Sequence, residues 1–195
     1  MEDLGVAASK APWSNLARMA TLNALSGISQ MTNTEIHVSQ LECREVVMAD
    51  ARTLLGNPEE TIVGVYLSYD GAARGHILLS FTEEVARQMV DLAMGQPPGT
   101  TVLMGEMEAS VMGEMGNIAG SFFLNELANT IGAAVQPSPP APIRDMAGAI
   151  MDVVIAQTMQ SLDKLYLLDL SFQANERSVA GHLLVVPTEG VLSPG

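Results

Sequence analysis

The segment from Gly75 to Val85, GHILLSFTEEV, returns late in the chain as GHLLVVPTEGV, from Gly181 to Val191. A related strand precedes each copy: Tyr66-Leu67-Ser68-Tyr69 in the first half and Asp169-Leu170-Ser171-Phe172 in the second. The polar turns DGAARG and QANERSVAG join strand to strand, so each half carries a β-hairpin. A lone hairpin buries too little surface to be stable, and each half is only about 95 residues long. The duplication therefore predicts one domain over residues 1–195, built of two repeats (about 14–99 and 103–192) related by a pseudo-twofold axis. Its class is α+β.

Helical periodicity fills the rest. One long helix is expected from about Asn15 to Met31 and its counterpart from about Gly105 to Ile131, each ending near an Asn-Thr pair (Asn33-Thr34, Asn129-Thr130). A third helix, about Glu83 to Met94, is closed by Gly95 and the turn at Pro97 to Gly99. A fourth, about Ile143 to Gln160, is expected after the proline-rich PSPPAP segment.

The composition excludes several classes of function. With a net charge of −13 and only nine Lys and Arg, the chain lacks the basic surface that nucleic acid or an anionic membrane requires. No GxxxxGK[ST] or GxGxxG offers a phosphate cradle. Apolar stretches fall short of a membrane helix, and MEDLGVAASKAPW has no basic region ahead of an apolar run, so no signal peptide or membrane insertion is expected. The single cysteine, Cys43, allows no internal disulfide and fits a reducing, cytoplasmic setting. His37, His76 and His182 are scattered, and His76 and His182 sit in strand-like GH(I/L)LL segments, which reads as structural, with no metal site. GxSxG is absent, and Cys43 has no local sign of activation.

The second long helix is unusual. At about 100° per residue, Ser110, Glu114, Asn117, Ser121 and Asn125 share one stripe, and Met112, Met115, Ala119, Phe122 and Phe123 form the opposite, core-facing one. The polar stripe holds one carboxylate among short neutral hydrogen-bonding groups, without the usual mix of Lys, Arg and Glu. Gly113, Gly116 and Gly120 lie on a neighbouring stripe. Each costs about 1 kcal/mol relative to alanine, so something should approach closely there: an adjacent helix (the duplicate one above all) or a partner protein.

The spacing Ser110-x3-Glu114-x2-Asn117, then 22 residues, then Pro140, resembles the signature of the CheC, CheX and FliY chemotaxis phosphatases. The texts GEMGNIAGSF and PSPPAPIRDM are similar to CheC, and the resemblance spans about residues 14–190. It implies long helices packed on a continuous, mostly antiparallel sheet. It also implies that the substrate is a phosphorylated CheY-type response regulator, which brings its own Mg²⁺ and lysine, so the phosphatase needs no cofactor of its own. Glu114 and Asn117 are then the catalytic pair. Asn117 orients the attacking water through an amide that both donates and accepts, and Glu114 engages the regulator's lysine. Ser110 supports the contact edge, and Pro140 shapes the chain after the helix.

Many members carry the motif in the first long helix as well. Aligning the helices at Asn puts Asn23 opposite Asn117, Ala20 opposite Glu114 and Leu16 opposite Ser110, with Val46 where proline would stand. The first site is thus expected to be degenerate and silent, as in a single-site CheC. The rival expectation is a non-catalytic CheC-like module that regulates the receptor deamidase CheD or acts at the flagellar switch.

Overall fold

The computed structural model describes residues 12–158, 164–174 and 177–189. In chain order the elements are α1 (Pro12–Thr32), β1 (Ile36–Val47), a short 3-10 helix (Met48–Thr53), β2 (Thr61–Gly71), β3 (Arg74–Thr82), α2 (Glu83–Ala93), α3 (Glu106–Ile131), β4 (Val135–Pro137), β5 (Ala141–Met146), α4 (Ala147–Thr158), β6 (Lys164–Ala174) and β7 (Arg177–Glu189). The strands form one seven-stranded sheet, ordered β1-β6-β7-β3-β2-β4 with β5 also on β2. Every pairing is antiparallel.

The two expected hairpins are β2–β3 and β6–β7, and they meet at the centre of the sheet. There β3 pairs with β7, and Leu78 lies opposite Leu184. These two leucines occupy the same place in the repeated segment, so the pseudo-twofold axis passes through that pair. The halves also interlace. Strand β1 adds to β6, and β4 and β5 add to β2, so each hairpin is flanked by a strand from the other half.

Alternation along the strands gives the sheet two apolar faces. Ile77, Leu79 and Phe81 of β3 join the larger core beneath α1, α2 and α3. Leu78, with Leu165, Leu167 and Leu184, faces the smaller core beneath α4 and the 3-10 helix.

The fourth helix starts later than the sequence suggests. Residues Ile143 to Met146 continue strand β5 along the edge of β2, where Arg144 forms a two-pronged contact with Glu83 (2.8 and 3.1 Å). Helix α4 begins at Ala147 because its first free amides find acceptors outside the helix: Ala147 N–H donates to Glu60 O and Gly148 N–H to Pro58 O, both at 2.9 Å. The expected end at Gln160 lies outside the described residues.

The glycine stripe of α3 serves the sheet. A methyl group on Gly116 would collide with Val65 of β2, one on Gly120 would press on Leu67 at 3.2 Å, and one on Gly113 would press on Pro142 of β5 at 3.2 Å. The expectation that a neighbouring helix or a partner protein fills this stripe is therefore corrected. The close approach to the duplicate helix uses a different glycine, Gly27 of α1, which lies against Ile118 and Phe122 of α3.

Candidate functional site

Helix α3 is held at both ends. At its start Gly105 N–H donates to the Glu108 carboxylate (3.0 Å), and at its end Gly132 takes the left-handed conformation (φ 69°) that closes a helix. Between the ends, glycine contacts with β2 and β5 fix its height and rotation. Ser110, Glu114 and Asn125 are thereby exposed, while Asn117 and Ser121 are half-buried. Glu114 and Asn117 are neighbours one turn apart on this outer stripe. Glu114 carries its charge into solvent, and Asn117 presents an amide able to hold a water between donor and acceptor.

Pro140 is half-buried in the short link from β4 to β5. That link is pinned to β2 by Ser138, whose N–H donates to Ser68 O (2.8 Å) and whose hydroxyl accepts from Ser68 N–H (3.0 Å). Pro142, rather than Pro140, meets Gly113 and so braces the helix beside Glu114. Sequence reading missed Pro142; the clue was the proline density of PSPPAP (Pro137, Pro139, Pro140 and Pro142), the composition of an edge strand that needs few donors.

On α1 the expected correspondence fails. Ala20 and Leu16 are 1% and 3% exposed and belong to the core, so they are not counterparts of the exposed Glu114 and Ser110. Superposing buried on buried carries Leu16 and Ala17 onto Met115 and Gly116, Ala20 and Thr21 onto Ala119 and Gly120, Ala24 and Leu25 onto Phe123 and Leu124, and Ile28 onto Leu127. In that register Asn15 stands opposite Glu114 and Arg18 opposite Asn117, both exposed, and Asn23 moves to the place of Phe122. In either register α1 lacks the Glu-x-x-Asn pair.

The remaining reactive side chains are tied into the sheet. His182 Nδ1 lies 2.7 Å from Asp169, which also binds Arg44 (2.7 Å), and these hydrogen bonds hold the Asp169 carboxyl below its ordinary range against the opposing effect of burial. His76 Nδ1 is 2.7 Å from the Tyr66 hydroxyl, with the two rings stacked, and burial lowers its proton affinity. Burial, with Glu42 and Asp169 nearby, pushes the Cys43 thiol up to about 11, the opposite of what a nucleophile needs. Among the described residues no helix is long and apolar enough to cross a membrane.

The sheet and its two flanking helical layers make the α+β fold of CheC-like proteins. The family model "Chemotaxis phosphatase CheX" matches residues 63–160, about half of the chain, and the chain belongs to this CheC-like chemotaxis phosphatase family. CheY-P phosphatase CheC of Bacillus subtilis is 21% identical over 169 residues, covering 85% of this chain and 81% of that protein. A CheC1 protein of Halobacterium salinarum is 29% identical over 129 residues, 66% of this chain and 65% of that relative, just under two thirds of its length. Among solved structures, FliY of Thermotoga maritima superposes with a TM-score of 0.70 at 17% identity, covering 92% of both chains. The FliM middle domain of Vibrio alginolyticus superposes at 0.57 and 10% identity, covering 90% of this chain and 92% of that one. These likenesses show the fold.

Proposed function

We propose that this protein hydrolyses the phospho-aspartate of a CheY-type response regulator in the chemotaxis pathway of the cytoplasm. The observation that carries this reading is that Glu114 and Asn117 stand outward on a helix seated firmly on the sheet. A pair on the outer stripe of a helix, with Glu114 exposed and Asn117 half-buried, suits a substrate in the active site of another protein, whereas a free metabolite needs an enclosing pocket. Glu114 pairs with the regulator's lysine and sets the docking register. Asn117 holds a water in line with the acyl phosphate. The water oxygen bonds to phosphorus, the bond from phosphorus to the aspartyl oxygen breaks, and the aspartate leaves as carboxylate; the phosphate carries off one of the water's protons and the other passes to solvent. The regulator brings its own Mg²⁺ and lysine, so the work left to Asn117 is positioning, the main lever in phosphoryl transfer. Ser110 lies at the edge of the contact, and Pro140 shapes the link behind it.

The test is the decay of a labelled phospho-regulator with and without the protein. Acceleration that depends on Asn117 supports the reading; decay at the regulator's own rate removes it. The second reading, a binding module directed at CheD or the flagellar switch, draws on the missing Glu-x-x-Asn pair in α1 and on the fold shared with FliM. It predicts tight binding to such a partner with no change in decay.

A further inference from the structure

Val102 and Leu103 are 72% and 77% exposed, the most exposed large apolar side chains among the described residues, and Met107 nearby is 57% exposed. They are not on a slack loop. Asp91, 1% exposed, sits under the linker from α2 to α3 and accepts from the backbone N–H of Gly99 (2.8 Å), Thr100 (3.2 Å) and Thr101 (2.7 Å). On the other side Met104 packs against the main core, and Gly105 is bonded to Glu108. Val102 and Leu103 are thus held out in water between two anchors. A partner that covers them has little loop entropy left to remove.

Their position identifies that partner. Met107 lies three residues before Ser110 and seven before Glu114, on the same line of α3. At 1.5 Å per residue, Met107 and Asn117 are separated by about 15 Å along the axis. A standard footprint of about 800 Å² per partner is about 30 Å across and takes in both. Beyond Asn117 the stripe offers only Ser121 and Asn125, and affinity generally comes from buried apolar anchors rather than from a lone carboxylate and amide. The exposed Glu106 and Glu114 border the patch, which favours a partner with cationic groups beside an apolar surface and disfavours an anionic one.

We infer that Val102, Leu103 and Met107 form the apolar docking edge on which the phosphorylated regulator seats itself, so that its phospho-aspartate meets Asn117. The regulator's matching chemistry is an apolar patch next to its metal- and lysine-bearing site. The inference rests on the function proposed above and adds how the substrate is recognised.

The decisive comparison is wild type against the double variant Val102→Ser with Leu103→Ser, using the full chain. The half-saturating concentration of phospho-regulator should rise about tenfold with kcat within about twofold, because the contact exists before and during attack. Val153→Ser, at an apolar position on α4 that is 57% exposed, should change neither. Binding to a beryllofluoride-activated regulator is measured in parallel and should weaken by the same factor. If wild type turns over and the double variant keeps its half-saturation, the docking edge is overturned while the proposed function stands. If wild type binds the regulator without turnover and the double variant loses binding, the enzyme reading falls and the docking edge stands. If wild type neither binds nor hydrolyses, both fall. Sedimentation at micromolar concentration provides the remaining check. Self-association of wild type that the double variant abolishes would assign the patch to a second copy and overturn the inference.

Discussion

Helices α1 and α3 lie side by side on the same face of the sheet and bury matching positions, yet only α3 carries an outward Glu-x-x-Asn pair. Where α3 shows Glu114 and Asn117, α1 shows Asn15 and Arg18: an amide for the carboxylate and a guanidinium for the amide. Arginine has no acceptor, so it cannot hold a water between donor and acceptor as asparagine can. The difference teaches that scaffold and chemistry vary independently here. The buried stripe is kept on both helices because the sheet demands it, while the outward stripe is free to vary.

The comparison breaks most sharply at Ala20. If buried positions set the register, Ala20→Glu places an unpaired carboxylate in the core and should cost about 3–5 kcal/mol in denaturant unfolding, whereas Asn15→Glu, in solvent, should stay within about 0.5 kcal/mol. An Ala20→Glu variant as stable as wild type would restore the register that pairs Ala20 with Glu114. Next in size, Asn117→Ala should slow phospho-regulator decay by about 100-fold, near 2.7 kcal/mol of barrier, with affinity nearly unchanged. Arg18→Ala and Asn23→Ala should leave the rate within about twofold. A comparable loss from either would give α1 a working site after all.

A smaller effect is expected where α3 rests on β2. Gly116→Ala gains helix propensity but drives a methyl group into Val65, a stiff β-branched residue on the central sheet. Overpacking of about 1–3 kcal/mol against a propensity gain of about 1 leaves a net loss near 1 kcal/mol. Activity should fall with it as the stripe shifts, and thermal unfolding with a decay assay reads both. A more stable, fully active variant would show that the glycine stripe does not seat the helix.

The mildest expected effect concerns the tether before α3. Burial pushes the Asp91 carboxyl up, but hydrogen bonds from Thr101, Gly99 and Thr100 outweigh it and hold it below the ordinary carboxylate value of 3.8. The unfolded chain then binds a proton more readily than the folded one, so this stability is present above about pH 4 and fades as pH falls through the lowered value. Asp91→Asn should flatten the stability profile between about pH 5 and 3. A profile as steep as wild type would mean that other carboxylates set the acid limb.

Much of this was legible in the sequence for definite reasons. The hairpins announced themselves through strand alternation and polar turns, and α3 through long helical periodicity between Gly105 and Gly132. The candidate pair was visible because the spacing from Ser110 through Glu114 and Asn117 to Pro140 resembles a family signature, which the helix spacing alone would not have supplied. What stayed hidden depended on distant contacts. Ile143 to Met146 looks helical by composition and becomes a strand because β2 offers a free edge. The register of α1 was obscured because one shared residue type, Asn23, was more conspicuous than an alanine-rich buried stripe. The purpose of Gly113, Gly116 and Gly120 could not be read without knowing that β2 passes beneath them.

The seam at Leu78 and Leu184 has a consequence for how the chain reaches this state. Residues more than a hundred positions apart must meet before the middle of the sheet exists, and β1 must wait for β6. Long loop closures are entropically costly before any contact rewards them, so folding should be slow for a domain of this size. During synthesis the first hairpin emerges with β3 unpaired on one side, an open edge of the kind that invites pairing with another chain. Completion of the central sheet therefore waits for β7, and the interval before β7 arrives is when the open edge of β3 is most exposed to misassembly.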